Sequence, residues 1–211
     1  MAVSSVSSSG VVHPGPRVGA FAGLGSAPSS PIGDTGGVNN SIRVVTVDMD
    51  GNPVGTADRL DAHKGEGLLH QAVSLQVMST NGRWLVQQRA HAKPLFGGYW
   101  ANTCCTHPLP GEAPVDAVRR RAAEELGLAL VDVEPAGAFV YRAVDERTGL
   151  VEHEFDLVFV ATVTEDVGLI PDPAEVASIV WLDSQALVER TGRPTAAPWF
   201  GRVVSLTSAA A

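Results

Sequence analysis

Between Tyr99 and Gly127 the chain passes from a run that reads as extended, Tyr99–Cys105, through Thr106-His107 into a segment with helical periodicity. Val115, Val118, Ala122 and Leu126 recur at helical spacing, Pro114 suits a first helical turn and Gly127 suits the stop, so a helix is predicted from Pro114 to Leu126. Side chains two apart on an extended segment share a face. Cys105 and His107 therefore point the same way, and Cys104 points opposite, toward a core. Two packing cysteines would leave the same letters, because a free thiol is commonly a small buried apolar group.

The elements around this stretch set the fold class. Arg43–Val47 reads as a β-branched strand running into the turn Asp50-Gly51-Asn52-Pro53. Ala72–Met78 and Trp84–Gln88 read as a hairpin about Thr80-Asn81-Gly82. Phe139–Val144 and Val151–Val163 flank the turn Glu146-Arg147-Thr148-Gly149, and a strand at Ile179–Leu182, a helix at Ser184–Arg190 and a short helix after Pro198 follow. Strands, helix, strands, helix, without regular βα alternation, predict an α+β layered fold with mixed β-sheets. Residues 1–41 are rich in Ser, Gly and Pro and carry charge only at Arg17 and Asp34, which predicts a disordered tail ahead of one domain over 42–211. A net charge of −8 argues against nucleic acid as partner. No apolar run reaches the roughly 18 residues of a membrane span. Both cysteines are adjacent, so no disulfide framework can form, and a reduced, cytoplasmic protein is expected.

A second group of polar residues lies on Val151–Val163. Alternation sends Glu152 and Glu154 to one face, and Phe155, Leu157 and Phe159 to the other. Two carboxylates on one face repel unless water solvates both or a cation lies between them. His63, His70 and His107 would complete such a site: three imidazoles and two carboxylates suit Zn, Mn or Mg rather than a soft metal. His91 and His153 have no comparable context.

The helix end, Arg120-Arg121-Ala122-Ala123-Glu124-Glu125-Leu126-Gly127 with Glu112 ahead of it, resembles the end of a Nudix box, whose glutamates bind the Mg²⁺ attached to a diphosphate. Arg121 stands where that box has a glutamate, which impairs hydrolysis of a diphosphate but not its binding. Together with Gly51-Asn52-Pro53, Leu69-His70, Gln87-Gln88-Arg89, Tyr141-Arg142, Glu152-His153-Glu154 and the Cys-Cys-Thr-His-Pro run ending at Pro108, the chain resembles a type 1 isopentenyl-diphosphate isomerase from about Val44 to Trp199. That resemblance implies a Nudix-like α/β/α layered fold and the interconversion of isopentenyl and dimethylallyl diphosphate by protonation and deprotonation; a Nudix-type diphosphate hydrolase is the alternative. It implies Cys105 and Glu154 as the acid/base pair, with Tyr141 hydrogen-bonded beside Glu154. His63, His70, His107, Glu152 and Glu154 would bind one Mn²⁺ or Zn²⁺, and Glu125 with the Cys105 carbonyl would hold the Mg²⁺ of the diphosphate. Arg89, Lys93 and Arg121 would contact the diphosphate, and Trp199 would face the carbocation. Phe96-Gly97-Gly98 replaces the family's aromatic-Pro-Gly, which is expected to loosen the loop after Lys93, and the last helix is expected to be short. Oligomeric state is not legible.

Overall fold

A computed structural model describes residues 12–14 and 42–210. The described strands are β1 (Val12–Pro14), β2 (Arg43–Val47), β3 (Pro53–Asp58), β4 (His70–Ser79), β5 (Trp84–Arg89), β6 (Trp100–Ala101), β7 (Cys104–Thr106), β8 (Glu134–Val144), β9 (Val151–Val163) and β10 (Val176–Leu182). The helices are α1 (Arg59–Ala62), α2 (Pro114–Leu126), α3 (Ser184–Thr191) and α4 (Phe200–Ala210). The main path of the sheet runs β1-β8-β9-β4-β2-β3, with β7 and β5 also on β4, and β6 and β10 on β5. β4 and β9 are parallel, whereas their other partners are antiparallel, so the sheet is mixed as expected.

Alternation along the central strands decides which side each helix covers. Val73, Leu75 and Val77 of β4 and Phe155, Leu157 and Phe159 of β9 face α2, whose Ala117, Val118, Ala122 and Leu126 complete that core. Phe139, Tyr141 and Val158 lie on the opposite side, packed with Trp199 and with Phe200, Val203 and Val204 of α4. The result is the α/β/α layering that the sequence predicts. Burying one such side chain contributes about 1.5–3 kcal/mol, enough for these two stripes to override the weak local signals between them. α2 starts at Pro114 and stops where Gly127 turns left-handed at φ 65°, as read from the sequence.

Several details differ from the expectation. Tyr99–Cys105 is interrupted by Asn102 and Thr103, which break it into β6 and β7. β3 and α1 were not legible, since Pro53–Asp58 has an exposed, non-alternating pattern. The loop after Lys93 is not loosened by Gly97: Gly98 donates to the Arg89 carbonyl at 3.0 Å, and Phe96 N–H donates to Asp145 Oδ2 at 2.7 Å. A Cβ on Gly97 would stand 2.6 Å from the His91 carbonyl, so the glycine lets this loop close tightly. Of the tail predicted over 1–41, only β1 lies among the described residues, paired with Phe139–Tyr141 of β8; the rest of that expectation falls outside them. Among the described residues, no helix is long and apolar enough to cross a membrane.

Gly51 locks the β2–β3 turn over the sheet. It has φ 85°, and a Cβ there would lie 2.6 Å from the Phe155 ring. Gly51→Ala should therefore cost roughly 2–4 kcal/mol, from backbone strain and overpacking together. Chemical denaturation checks it, and a cost below about 0.5 kcal/mol would contradict this packing.

Candidate functional site

On the α4 side of the sheet, three imidazoles converge. His70 opens β4 directly beside Glu154 of β9, and His107 follows β7, which pairs with the other edge of β4. His63 follows α1. Ring centroids are 4.8 Å apart for His63 and His70, 4.7 Å for His70 and His107, and 5.4 Å for His63 and His107. Ligand atoms of His63, His70, His107 and Glu152 all lie within 4.8 Å of one another. Glu154 Oε1 joins them, 2.9 Å from His107 Nε2 and 3.7 Å from His70 Nε2.

The donor set fits a divalent cation. His63 Nδ1 lies 2.9 Å from the Val151 carbonyl, and His70 Nδ1 lies 2.7 Å from the Leu68 carbonyl. Each of those nitrogens then carries the proton, which leaves Nε2 with its lone pair; metal-binding histidines are commonly oriented this way. His70 Nε2 and His107 Nε2 stand 3.1 Å apart. Ligands at right angles around a metal, with bonds of about 2.1 Å, are separated by about 3 Å. Glu152 Oε2 is buried, makes no hydrogen bond of good geometry, and lies 3.3 Å from His63 Nδ1. Electrostatics agree: burial, with His107 beside it, pushes His70 down to about 3. Burial and His63 hold His107 well below the ordinary range. Burial and Glu154 push Glu152 well above it.

Next to this cluster lies the thiol. Tyr141 of β8 stands opposite Glu154 in register and donates its hydroxyl to Glu154 Oε2 at 2.6 Å. Burial and the Glu154 charge raise the Tyr141 pKa well above normal, so the phenol remains a donor. Cys105, opposite Ser74 on the other edge of β4, has its sulfur 3.3 Å from Ser74 Oγ, which donates to Asp156 Oδ2 at 2.7 Å. Burial and Asp156 push the Cys105 thiol up to about 12. Cys104 turns away into the α2 core and is fully buried, as alternation predicts. Trp199 lies in the core on the Cys105 side, its indole N–H donating to Asn102 Oδ1 at 3.0 Å, with the Arg89 guanidinium carbon 5.4 Å from its ring centroid.

The remaining predicted residues form a separate charged group at the end of α2. Glu125 is fully buried. Its Oε1 meets Lys93 Nζ at 3.0 Å and Arg121 Nη2 at 2.5 Å, and its Oε2 accepts from Gln87 Nε2 at 3.0 Å. Lys93 and Arg121 also reach Glu175, at 2.5 and 2.7 Å. Burial works against the Arg121 charge, but Glu125 and Glu175 outweigh it and hold its pKa above the ordinary range. Two carboxylates thus neutralise two cations where the sequence reading expects Mg²⁺ and a diphosphate.

Sequence reasoning missed Ser74, Asn102, Asp156 and Glu175. Two of them carried a signal. Asp156 extends the Glu152, Glu154 alternation by one step, and Ser74 shares the β4 face of His70. Asn102 and Glu175 sit outside regular strands, where alternation says nothing.

A NUDIX domain model matches residues 68–203. The crystal structure of DR0079 from Deinococcus radiodurans aligns with a TM-score of 0.62 at 23% identity, covering 77% of this chain and 97% of that one. A MutT protein from Methanosarcina mazei aligns at 0.54 and 18% identity, over 67% of this chain and 94% of that one. These likenesses carry the fold alone. In sequence, the chain is 41% identical over 85% of its length to a Streptomyces coelicolor protein named isopentenyl-diphosphate Delta-isomerase, covering 88% of that relative. Proteins of the same name from Nocardia farcinica and Burkholderia multivorans are 43% and 48% identical, over 79% and 70% of this chain and 95% and 81% of theirs. Identity of this extent over most of the chain, with the NUDIX domain match, shows that the chain belongs to the type 1 isopentenyl-diphosphate Delta-isomerases, on the Nudix fold.

Proposed function

We propose that this chain interconverts isopentenyl and dimethylallyl diphosphate, with Cys105 and Glu154 exchanging protons with the hydrocarbon. The observation that carries the assignment of roles is their placement on opposite sides of one strand. Cys105 on β7 and Glu154 on β9 both pair with β4, and both contribute to its polar face. A five-carbon unit lying across β4 would meet a thiol from one side and a carboxylate from the other.

An isolated alkene is a weak base, so its protonation needs a well-aimed acid in a dry site. When one group delivers a proton to the terminal carbon, the π electrons form the new C–H bond and leave a tertiary cation. The other group then takes a proton from the carbon on the far side, and that C–H pair becomes the new double bond. Each such acid/base contribution is worth about 10²–10⁴-fold. Cys105 holds its proton at neutral pH, and Tyr141 keeps Glu154 pointed into the site. The buried Trp199 ring offers an electron-rich face, worth roughly 2 kcal/mol to a desolvated cation. His63, His70, His107, Glu152 and Glu154 would hold a divalent ion, whose positive charge would orient Glu154 and lower its proton affinity. Glu125 would be the chain's ligand for Mg²⁺ arriving on the diphosphate, with Lys93, Arg121 and Arg89 left to its oxygens. Arg121, paired with Glu125 and Glu175, argues against a hydrolase, which needs carboxylates there to activate water. Free thiols at Cys104 and Cys105 accord with a reduced, cytoplasmic setting.

Incubation of the purified chain with isopentenyl diphosphate, Mg²⁺ and Mn²⁺ should yield dimethylallyl diphosphate without inorganic phosphate. Phosphate release without isomerisation would favour the hydrolase. Adding Mn²⁺ or Zn²⁺ to chelator-stripped protein at about 100 times its Kd should stabilise the fold by about 2.7 kcal/mol, read as a rise in Tm. His107→Ala should abolish that rise. An unchanged Tm in the parent chain would contradict the metal site.

A further inference from the structure

Asn102 is fully buried in the bend between β6 and β7 and touches two of the groups assigned to the reaction. Its amide orientation is fixed by its partners. Nδ2 donates to the Leu75 carbonyl at 3.0 Å and the Cys104 carbonyl at 2.9 Å, while Oδ1 accepts the Trp199 indole N–H at 3.0 Å. A flipped amide would set its oxygen against two carbonyls and its nitrogen against an N–H. Both Nδ2 hydrogens are therefore committed, although the Cys105 sulfur lies 3.1 Å away. Oδ1 has a second lone pair 3.3 Å from the Cys105 sulfur, within reach of its S–H; Ser74 Oγ, whose own proton goes to Asp156 Oδ2, stands at the same 3.3 Å as the competing acceptor.

We propose that Asn102 is a positioning residue that couples Trp199 to Cys105, its amide oxygen receiving the indole N–H and the thiol S–H together. Nδ2 anchors the amide to β4 and β7, so the oxygen is a fixed point. The sulfur that exchanges a proton and the ring that faces the cation are then held in one relation to each other. A buried amide shared by two donors behaves as a unit, so loss of either donor is felt by the other. The catalytic meaning of this link rests on the isomerase reading; the link itself does not.

Two readouts test it in the full chain. Trp199→Phe keeps a ring and leaves the anchors of Asn102 untouched, while removing the N–H. The infrared S–H stretching band that disappears in Cys105→Ala should shift in Trp199→Phe, because Oδ1 is then shared with no second donor. In turnover with isopentenyl diphosphate, Trp199→Phe should lower kcat by about tenfold in the parent chain but only about twofold in an Asn102→Ser background, with KM within about twofold throughout. An unmoved S–H band, or losses in kcat that simply multiply, would overturn the proposal and leave Asn102 a staple between strands. If Asn102→Ser does not fold, the band in Trp199→Phe decides alone. A parent chain that fails to isomerise would sink the isomerase reading, and the band would still judge the link.

Discussion

Cys105→Ala is expected to lower kcat for isopentenyl diphosphate by about 10²–10⁴-fold, with little change in KM and in Tm. The thiol is one of the two groups that exchange protons with the hydrocarbon, so its loss removes a transition-state interaction rather than substrate binding. The fold should tolerate the change because the sulfur sits at the border of the core, 3.3 Å from both Ser74 Oγ and Asn102 Oδ1, rather than packed like Cys104. Steady-state kinetics and thermal unfolding check both halves. Cys104→Ala is the control: it should cost stability through a buried cavity, while Cys105 and its partners still turn over substrate. Near-normal turnover in Cys105→Ala would remove the thiol from the reaction.

Glu154→Gln should fall as far, by about 10²–10⁴-fold in kcat, for a different set of reasons. Glutamine keeps the volume and can still accept the Tyr141 hydroxyl, which now reaches Glu154 Oε2 at 2.6 Å. It cannot take a proton from carbon. It also loses the charge that faces His107 Nε2 at 2.9 Å, so metal affinity should weaken at the same time. Assays at saturating Mn²⁺ separate the two effects. Activity restored by excess metal would mean that Glu154 only holds the ion.

Much of this was legible in the sequence because strand alternation is a strict rule. It separated Cys105 from Cys104, and it placed Glu152 and Glu154 on the face opposite Phe155, Leu157 and Phe159. α2 was equally clear, with Pro114 and Gly127 marking its ends. The rest depends on distances along the chain that no local pattern encodes. Asn102 meets Trp199 across a separation of 97 residues, and Asp156 reaches Ser74 across 82. Glu175 reaches Lys93 and Arg121 from the segment just before β10, where nothing in the letters points to an ion pair. The loop after Lys93 went the other way: Gly97 read as loosening, yet the loop is pinned by Gly98 N–H on the Arg89 carbonyl and by Phe96 N–H on Asp145 Oδ2, 49 residues away in the chain.

Running the reaction in heavy water tests the central claim most directly. If Cys105 and Glu154 deliver and remove protons on the carbon skeleton, isopentenyl diphosphate incubated with the parent chain should acquire deuterium in both the recovered substrate and the dimethylallyl product. Cys105→Ala and Glu154→Gln should suppress that incorporation. Product formed without deuterium, or diphosphate consumed with release of phosphate and no label on carbon, would contradict the account.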